Sequence, residues 1–356
     1  MKSLLWLPLW IIQLGTSAKS FLDNPLIGSR RLNQRGLHRA RVRIAGALAS
    51  WRRARLAKYV RADWRETFDR DGFVAIEGIV PEAEFAGLRE AILGYEGEAR
   101  EMIQGDAITR RMAVDPAMLE AIPALRTLLR RQDVRALFHY AASFRIEPLH
   151  YIQTIVTHAN GVPDGDPQEA LHADAFHSSL KAWLFLNPVA ADEAPFTYVP
   201  GSHRLTPQRL DWEYRRSLAD PRTIDRLSAR GSPRARPTDL VEMELPGAAA
   251  LAVSANTLVV ADMIGFHARG GSVKPVERVE VWSYARRNPF LPWISGDLLS
   301  VPGLAERRVG WLWAARDALE RVVGQPWRRV GLRTPNSQPQ NCAAMRDRRI
   351  SSPQKL

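Results

Sequence analysis

Leu171-His172-Ala173-Asp174-Ala175-Phe176-His177 opens a stretch that runs on through Ser178 to Pro188 and reaches the turn Tyr198-Val199-Pro200-Gly201-Ser202-His203-Arg204. Residues two apart share a face when the chain is extended. His172 and Asp174 are therefore expected to aim at one metal ion from a single strand, with a third ligand supplied from elsewhere. The apolar run 183–189 immediately downstream reads as a strand. His177, five residues past His172, falls on the opposite face and reads as an exposed or pocket residue rather than a ligand.

Following the chain forward supplies the missing partners. After an Arg-rich helical insertion over 207–236, short apolar runs at 249–253 and 257–262 read as strands. Gly265-Phe266-His267-Ala268-Arg269-Gly270-Gly271 comes next. Beyond a Lys274-Pro275 turn, residues 277–284 alternate, which puts Arg278, Glu280 and Trp282 on one face. Strand, glycine-bearing loop and strand read as a hairpin, so His267 and Arg278 are expected to face one cavity from neighbouring strands. Two His and one carboxylate on one side of an ion, with open positions opposite, is the ligand set of non-heme Fe(II) oxygenases. Upstream, residues 149–157 alternate as a strand and make Gln153 a candidate inward-facing polar residue, whereas His150 and His158 read as surface or hydrogen-bonded side chains.

Taken in order, His172-Ala173-Asp174, the strand 183–189, Pro200-Gly201-Ser202-His203-Arg204, His267 and, eleven residues later, Arg278 resemble the phytanoyl-CoA dioxygenase family of Fe(II)- and 2-oxoglutarate-dependent oxygenases. Asp71-Gly72-Phe73-Val74 fits the family's opening, so the resemblance spans about 66–290. It implies a mainly β fold with flanking helices, a double-stranded β-helix or jelly-roll barrel. It also implies that His172, Asp174 and His267 ligate Fe(II), with 2-oxoglutarate and O2 as co-substrates. Arg278 would hold the distal carboxylate of 2-oxoglutarate, with Trp183 and Gln153 beside it. This chain departs from the family pattern at two places. Glu193-Ala194-Pro195 stands where the family often has Gly, and Arg269 where it often has a small hydroxyl residue.

Outside 66–332 the chain changes character. Residues 30–61 carry eleven Lys and Arg and no acidic residue, interleaved with apolar residues at helical spacing. Such a basic amphipathic arm reads as a membrane-surface element or as a helix packed on the main domain. Ahead of it, Lys2, the apolar run Leu4-Leu5-Trp6-Leu7-Pro8-Leu9-Trp10-Ile11-Ile12 and Thr16-Ser17-Ala18 have the outline of a secretory signal. Trp6, Pro8 and Trp10 fit an interfacial anchor or packing arm better. From Arg333 onward the polar tail lacks apolar periodicity and reads as disordered.

The net charge of +12 points to an anionic partner, and the lone Cys342 excludes a disulfide framework and multi-cysteine metal sites. No helix-turn-helix, zinc finger or base-stacking platform accompanies the charge, which argues against nucleic acid. The sequence thus leads to a hydroxylase acting in the cytoplasm on a small-molecule or lipid-linked substrate. Residues 1–62 would offer contact with an anionic inner membrane face. The competing reading is a barrel that has lost its chemistry and only binds such a surface.

Overall fold

The computed structural model describes residues 6–159 and 166–339. Cys342, most of the loop expected at 161–168 and the end of the tail lie outside the described residues. Eleven strands carry the architecture: β1 (Phe73–Ile76), β2 (Gly97–Gln104), β3 (Ala107–Ala113), β4 (Leu149–Val156), β5 (Leu180–Phe185), β6 (Phe196–Tyr198), β7 (Ala249–Leu251), β8 (Thr257–Asp262), β9 (His267–Arg269), β10 (Glu277–Ala285) and β11 (Arg328–Arg333). Eight form one antiparallel sheet in the order β1-β8-β5-β10-β4-β3-β2-β11, and β7-β6-β9 form a smaller one. The mainly β, jelly-roll architecture expected from the sequence is what the chain adopts.

Strand alternation gives the large sheet two buried faces of different chemistry. On β5, Leu180, Ala182 and Leu184 join Val279 and Val281 of β10 in an apolar layer. That layer packs against helices bearing Phe68, Leu88, Leu125 and Leu137. The other face carries Trp183, Phe185 and Trp282, which meet Phe196 and Tyr198 of the small sheet. Register aligns the inward residues in rows: Trp282 lies opposite Trp183 and Tyr151, and Glu280 opposite Phe185 and Gln153. Functional side chains therefore project from the wall between the sheets, while the helical layer makes that wall rigid.

The arm is part of this body. Helix Leu37–Leu56 buries His38, Arg41, Val42, Ala45, Ala49, Arg52 and Leu56. Arg52 donates to Ser143 O (3.0 Å), and Arg53 to Tyr140 O (3.0 Å) and Ala141 O (2.7 Å). These carbonyls belong to the C-terminal end of helix Gln132–Ala142, where main-chain acceptors have no intrahelical donor. The sequence-derived tail boundary also moves. β11 pairs with β2 through Arg333, and the buried Arg110 donates to the carbonyls of Thr334 (3.2 Å), Pro335 (3.3 Å) and Gln338 (3.2 Å). A buried guanidinium needs acceptors, so residues 334–338 are held rather than disordered.

Candidate metal centre

The ligating residues come together by a different route from the one their spacing suggested. His172 lies outside the named strands. It is joined to β9 by an isolated bridge in which His172 N donates to His267 O and His267 N to His172 O, both at 2.9 Å. The pair of main-chain bonds sets the two imidazoles side by side, with ring centroids 4.5 Å apart. Asp174 N donates to Met263 O at 2.9 Å, fixing the third residue. One potential ligand atom from each of His172, Asp174 and His267 then lies within 4.8 Å of the others.

Tautomers are set by what each ring's second nitrogen meets. His172 Nδ1 is 2.8 Å from Ala170 O, and His267 Nδ1 is 3.0 Å from Gly265 O. A carbonyl only accepts, so each Nδ1 carries the proton and each Nε2 is left with a free lone pair. These Nε2 atoms stand 3.7 and 3.5 Å from Asp174 Oδ1, and that of His267 is buried without a hydrogen-bond partner. Burial and the adjacent His267 hold His172 well below the usual imidazole range, hence neutral. Burial acts to raise the Asp174 carboxyl, but Lys181, whose Nζ is 2.7 Å from Oδ2, and the two His hold it well below the usual carboxylate range. Two imidazoles and a carboxylate, with an orphaned buried nitrogen between them, fit a divalent metal ion.

A cavity of about 450 Å³ opens beside this triad. Arg278, Trp183 and Gln153, the three residues expected to serve a co-substrate, all line it. Trp183 packs against Phe196 with ring centroids 4.3 Å apart and planes tilted by 35°. Gln153 donates to Glu280 Oε1 at 2.6 Å and accepts from Arg111 Nε at 2.7 Å. Arg278 Nε lies 2.9 Å from Glu280 Oε2, and its Nη1 donates to Ala194 O. The expected hairpin geometry needs correction: β9 pairs with β6 and β10 with β4 and β5, so His267 and Arg278 face the cavity from opposite sheets. Ala194, standing where the family often has Gly, adopts a left-handed φ of 51°.

Several residues around the cavity escaped the sequence reading. Lys181 follows from alternation with Trp183 on β5; alternation on β10 puts Glu280 on the face of Arg278 but does not reveal it as that residue's ion-pair partner. Arg111 was hidden because the hairpin of β2 and β3 was not read. It is half-buried against the rings of Trp282 (3.8 Å) and Trp327 (4.4 Å), and this desolvation lowers its pKa to about 10. Arg269 pairs with Asp166 at 2.7 Å. Lys19, from the arm, donates to the main-chain carbonyl of Asp174, and burial together with neighbouring Arg286, Lys181 and Arg234 lowers it to about 8. His177 is a further correction. It is 1 % exposed, with Nδ1 on Ser178 O at 2.9 Å, because the segment is a loop and not a strand with a free face.

No curated protein matches the chain. Among solved structures, similarity extends to the epimerase SnoN in complex with Fe3+, alpha ketoglutarate and nogalamycin RO. There the identity is 21 %, the TM-score 0.40, and the coverage 70 % of this chain and 91 % of that one. It extends also to HygX from Streptomyces hygroscopicus with nickel and 2-oxoglutarate bound (15 %, TM-score 0.40, coverage 64 % and 87 %). A third is EctD from S. alaskensis with 2-oxoglutarate and 5-hydroxyectoine (15 %, TM-score 0.39, coverage 64 % and 76 %). The family model for phytanoyl-CoA dioxygenase (PhyH) matches residues 68–246. That span is half of the chain and contains His172 and Asp174, while His267 and Arg278 lie beyond it and are brought to the same cavity by the fold. The chain belongs to the phytanoyl-CoA dioxygenase family.

Proposed function

We propose that the protein is an Fe(II)- and 2-oxoglutarate-dependent dioxygenase that hydroxylates an unactivated C–H bond of a small-molecule or lipid-linked substrate, releasing succinate and CO2. The observation that carries this reading is the triad itself: two tautomer-fixed imidazoles and one ionised carboxylate converge, and Arg278, whose guanidinium could receive a carboxylate, lies in the same cavity. His172, Asp174 and His267 would hold the metal. Bound iron with 2-oxoglutarate and O2 would supply the oxidising power to break a strong C–H bond.

The chain's own residues bind, orient and shield. The guanidinium of Arg278 offers a planar fork suited to bidentate contact with a carboxylate. Glu280 and Ala194 O fix its orientation before any ligand arrives, and Gln153 holds Glu280. Trp183 and Phe196 form an apolar wall that excludes water beside the triad. Lys181 compensates the Asp174 carboxylate and fixes Oδ2, leaving Oδ1 toward the two imidazoles.

The test is succinate release from 2-oxoglutarate with added Fe(II), which needs no prime substrate where uncoupled turnover occurs. Asp174→Ala should reduce it at least a hundred-fold, and chelation of the metal should do the same to the wild type. Undiminished release from the variant would remove the assignment. Circular dichroism of the variant shows whether the fold survives.

A second observation supports use at a membrane surface. No residue of helix Leu7–Leu14 is buried, and Trp6, Leu9, Ile11 and Ile12 are exposed. Arg30, Arg31 and Arg35 are exposed nearby in sequence. Among the described residues no helix is long and apolar enough to cross a membrane, so the contact would be interfacial. Flotation with anionic vesicles, comparing wild type with a Trp6→Ser, Ile11→Ser, Ile12→Ser variant, tests it. Equal flotation of the two proteins would end that reading. Removing the whole arm would not serve, because helix Leu37–Leu56 is built into the core.

A further inference from the structure

Charge accounting around the cavity leaves a remainder. Seven Lys and Arg side chains line it, against a single lining carboxylate, Asp174. Three of the cations have carboxylate partners: Lys181 with Asp174, Arg269 with Asp166 and Arg278 with Glu280. Lys19, Arg111, Arg234 and Arg286 have no carboxylate within ion-pair distance among the described residues. A divalent metal and a doubly charged co-substrate cancel one another, so loading the site as proposed above leaves this excess in place. Arg111 is occupied by Gln153 and two indole rings. Lys19, Arg234 and Arg286 remain.

Their backbone settings differ, yet each is directed into the same space. Arg286 follows β10, beyond Tyr284, and is exposed, with no side-chain hydrogen bond or ion pair among the described residues. Arg234 is steadied by Ser232 O (2.7 Å) and Pro167 O (3.2 Å). Lys19 arrives from outside the catalytic fold. The buried Arg41 donates to Leu14 O (3.0 Å), Thr16 O (3.0 Å) and Ala18 O (2.7 Å) while lying over the Phe176 ring at 4.5 Å. Phe21 N donates to Ala229 O at 2.9 Å. The strand of chain between these anchors is thereby pressed against Gly231, which has φ +82°. A Cβ there would come within 2.3 Å of Lys19 O. The result is a lysine held in the lining of the metal cavity, donating to the main-chain carbonyl of Asp174, by a segment that itself supplies none of the three metal-ligating residues. Trp282 and Tyr284, stacked at 5.7 Å and 3° between ring planes, form the adjoining wall.

We infer that the substrate carries an oxyanion, received at the mouth by Lys19 of the N-terminal arm together with Arg234 and Arg286, with its apolar body against Trp282 and Tyr284. This rests on the dioxygenase reading for the position of the reacting carbon, but the anion site itself rests on the three cations. Phosphate, sulfate and carboxylate share the required chemistry.

The probes are phenyl phosphate, phenyl sulfate and benzoate, with benzyl alcohol as the neutral counterpart. They are titrated calorimetrically into full-length protein saturated with Ni(II) and 2-oxoglutarate, so that the triad and Arg278 are occupied and no turnover occurs. At least one anion should bind ten-fold or more tighter than benzyl alcohol, and the order among the three identifies the oxyanion. In the Lys19→Ala, Arg234→Ala double variant that advantage should fall at least ten-fold, while 2-oxoglutarate affinity changes less than three-fold. Lys19→Arg should retain most of it, which separates lost charge from a displaced arm. Benzyl alcohol binding as well as every anion, or an undiminished anion advantage in the double variant, overturns the inference. The same titrations without metal separate the two readings. Anions that bind through Lys19 and Arg234 in a protein unable to take up Ni(II) and 2-oxoglutarate would overturn the dioxygenase assignment and support the anion site.

Discussion

Arginine does opposite work on the arm and in the cavity. Along helix Leu37–Leu56, Arg52 and Arg53 spend their donors on the carbonyls that end helix Gln132–Ala142, and Arg41 on those of residues 14, 16 and 18. Each is a staple, satisfied within the protein. In the cavity, Lys19, Arg234 and Arg286 line open space with no carboxylate partner among the described residues, although Lys19 donates to Asp174 O and Arg234 to Ser232 O and Pro167 O. A net charge of +12 therefore mixes two populations, one that builds the fold and one that meets a ligand. Only the second bears on partners. The basic arm is also less available to a membrane than its composition suggests, because three of its arginines point inward.

The sharpest way to separate the populations is to truncate one member of each. Arg52 is 1 % exposed, donates also to Leu291 O (2.7 Å) and Pro289 O (3.1 Å), and lies over Phe144 at 3.9 Å. Arg52→Met should cost about 3–5 kcal/mol of unfolding free energy, since several buried carbonyls lose a charged donor. The denaturant midpoint measures this. Arg278→Met should instead weaken 2-oxoglutarate binding by roughly 10- to 100-fold, the worth of one or two charge-assisted bonds, read by calorimetry. If Arg52→Met left stability intact and impaired co-substrate binding, the division would fail.

Legibility followed the same division. The triad and Arg278 could be read because residue types suited to a metal ion and a carboxylate stand in a short ordered pattern. Alternation puts Glu280 on the face of Arg278, and Lys181 was within reach, since the same alternation places it beside Trp183. Lys19 was not. Its position depends on Arg41, Phe176 and Gly231 acting on one segment from distant parts of the chain, and no local pattern records that. His267 and Arg278 were placed in one hairpin because adjacency in sequence resembles pairing. The chain instead crosses between sheets there, and which strands pair depends on long-range burial. Charge and apolar spacing lead to a basic helical arm over residues 30–61, which the chain forms as helices Arg30–Gln34 and Leu37–Leu56. Which arginines turn inward depends on the helix end they meet.

The joint between arm and catalytic body has its own signature in pH. Glu213 accepts from Arg209 (3.0 Å) and faces His38 Nε2 at 3.0 Å, linking helix Leu37–Leu56 to helix Pro207–Ser217. Burial acts to raise its carboxyl, but the His38 and Arg209 contacts outweigh that and lower it to about 2. A carboxyl depressed on folding gives stability that is full above its unfolded value, about 4.3, and is lost as pH falls toward 2. Glu213→Gln should therefore be less stable than wild type near pH 7, and the gap should narrow between about pH 4.5 and 2. A gap independent of pH would place the cost in packing instead of charge.

The smallest expected effect lies where a sequence departure meets the co-substrate anchor. Ala194 is buried, has a left-handed φ of 51° and turns its carbonyl to Arg278 Nη1. A side chain with Cβ costs roughly 1–2 kcal/mol in that conformation, and glycine does not. Glycine in turn loses more freedom on folding, roughly 0.5–1 kcal/mol, so Ala194→Gly should stabilise the protein by about 0.5–1 kcal/mol. The two regions then predict different consequences. If the strained turn exists to hold Arg278, relaxing it should raise stability while 2-oxoglutarate affinity drops by a few-fold, because the carbonyl is no longer held in place. If Glu280 and Gln153 alone position Arg278, stability should rise with affinity unchanged. Thermal unfolding and 2-oxoglutarate titration on the same variant decide between a loop that tunes the anchor and one that merely passes beside it.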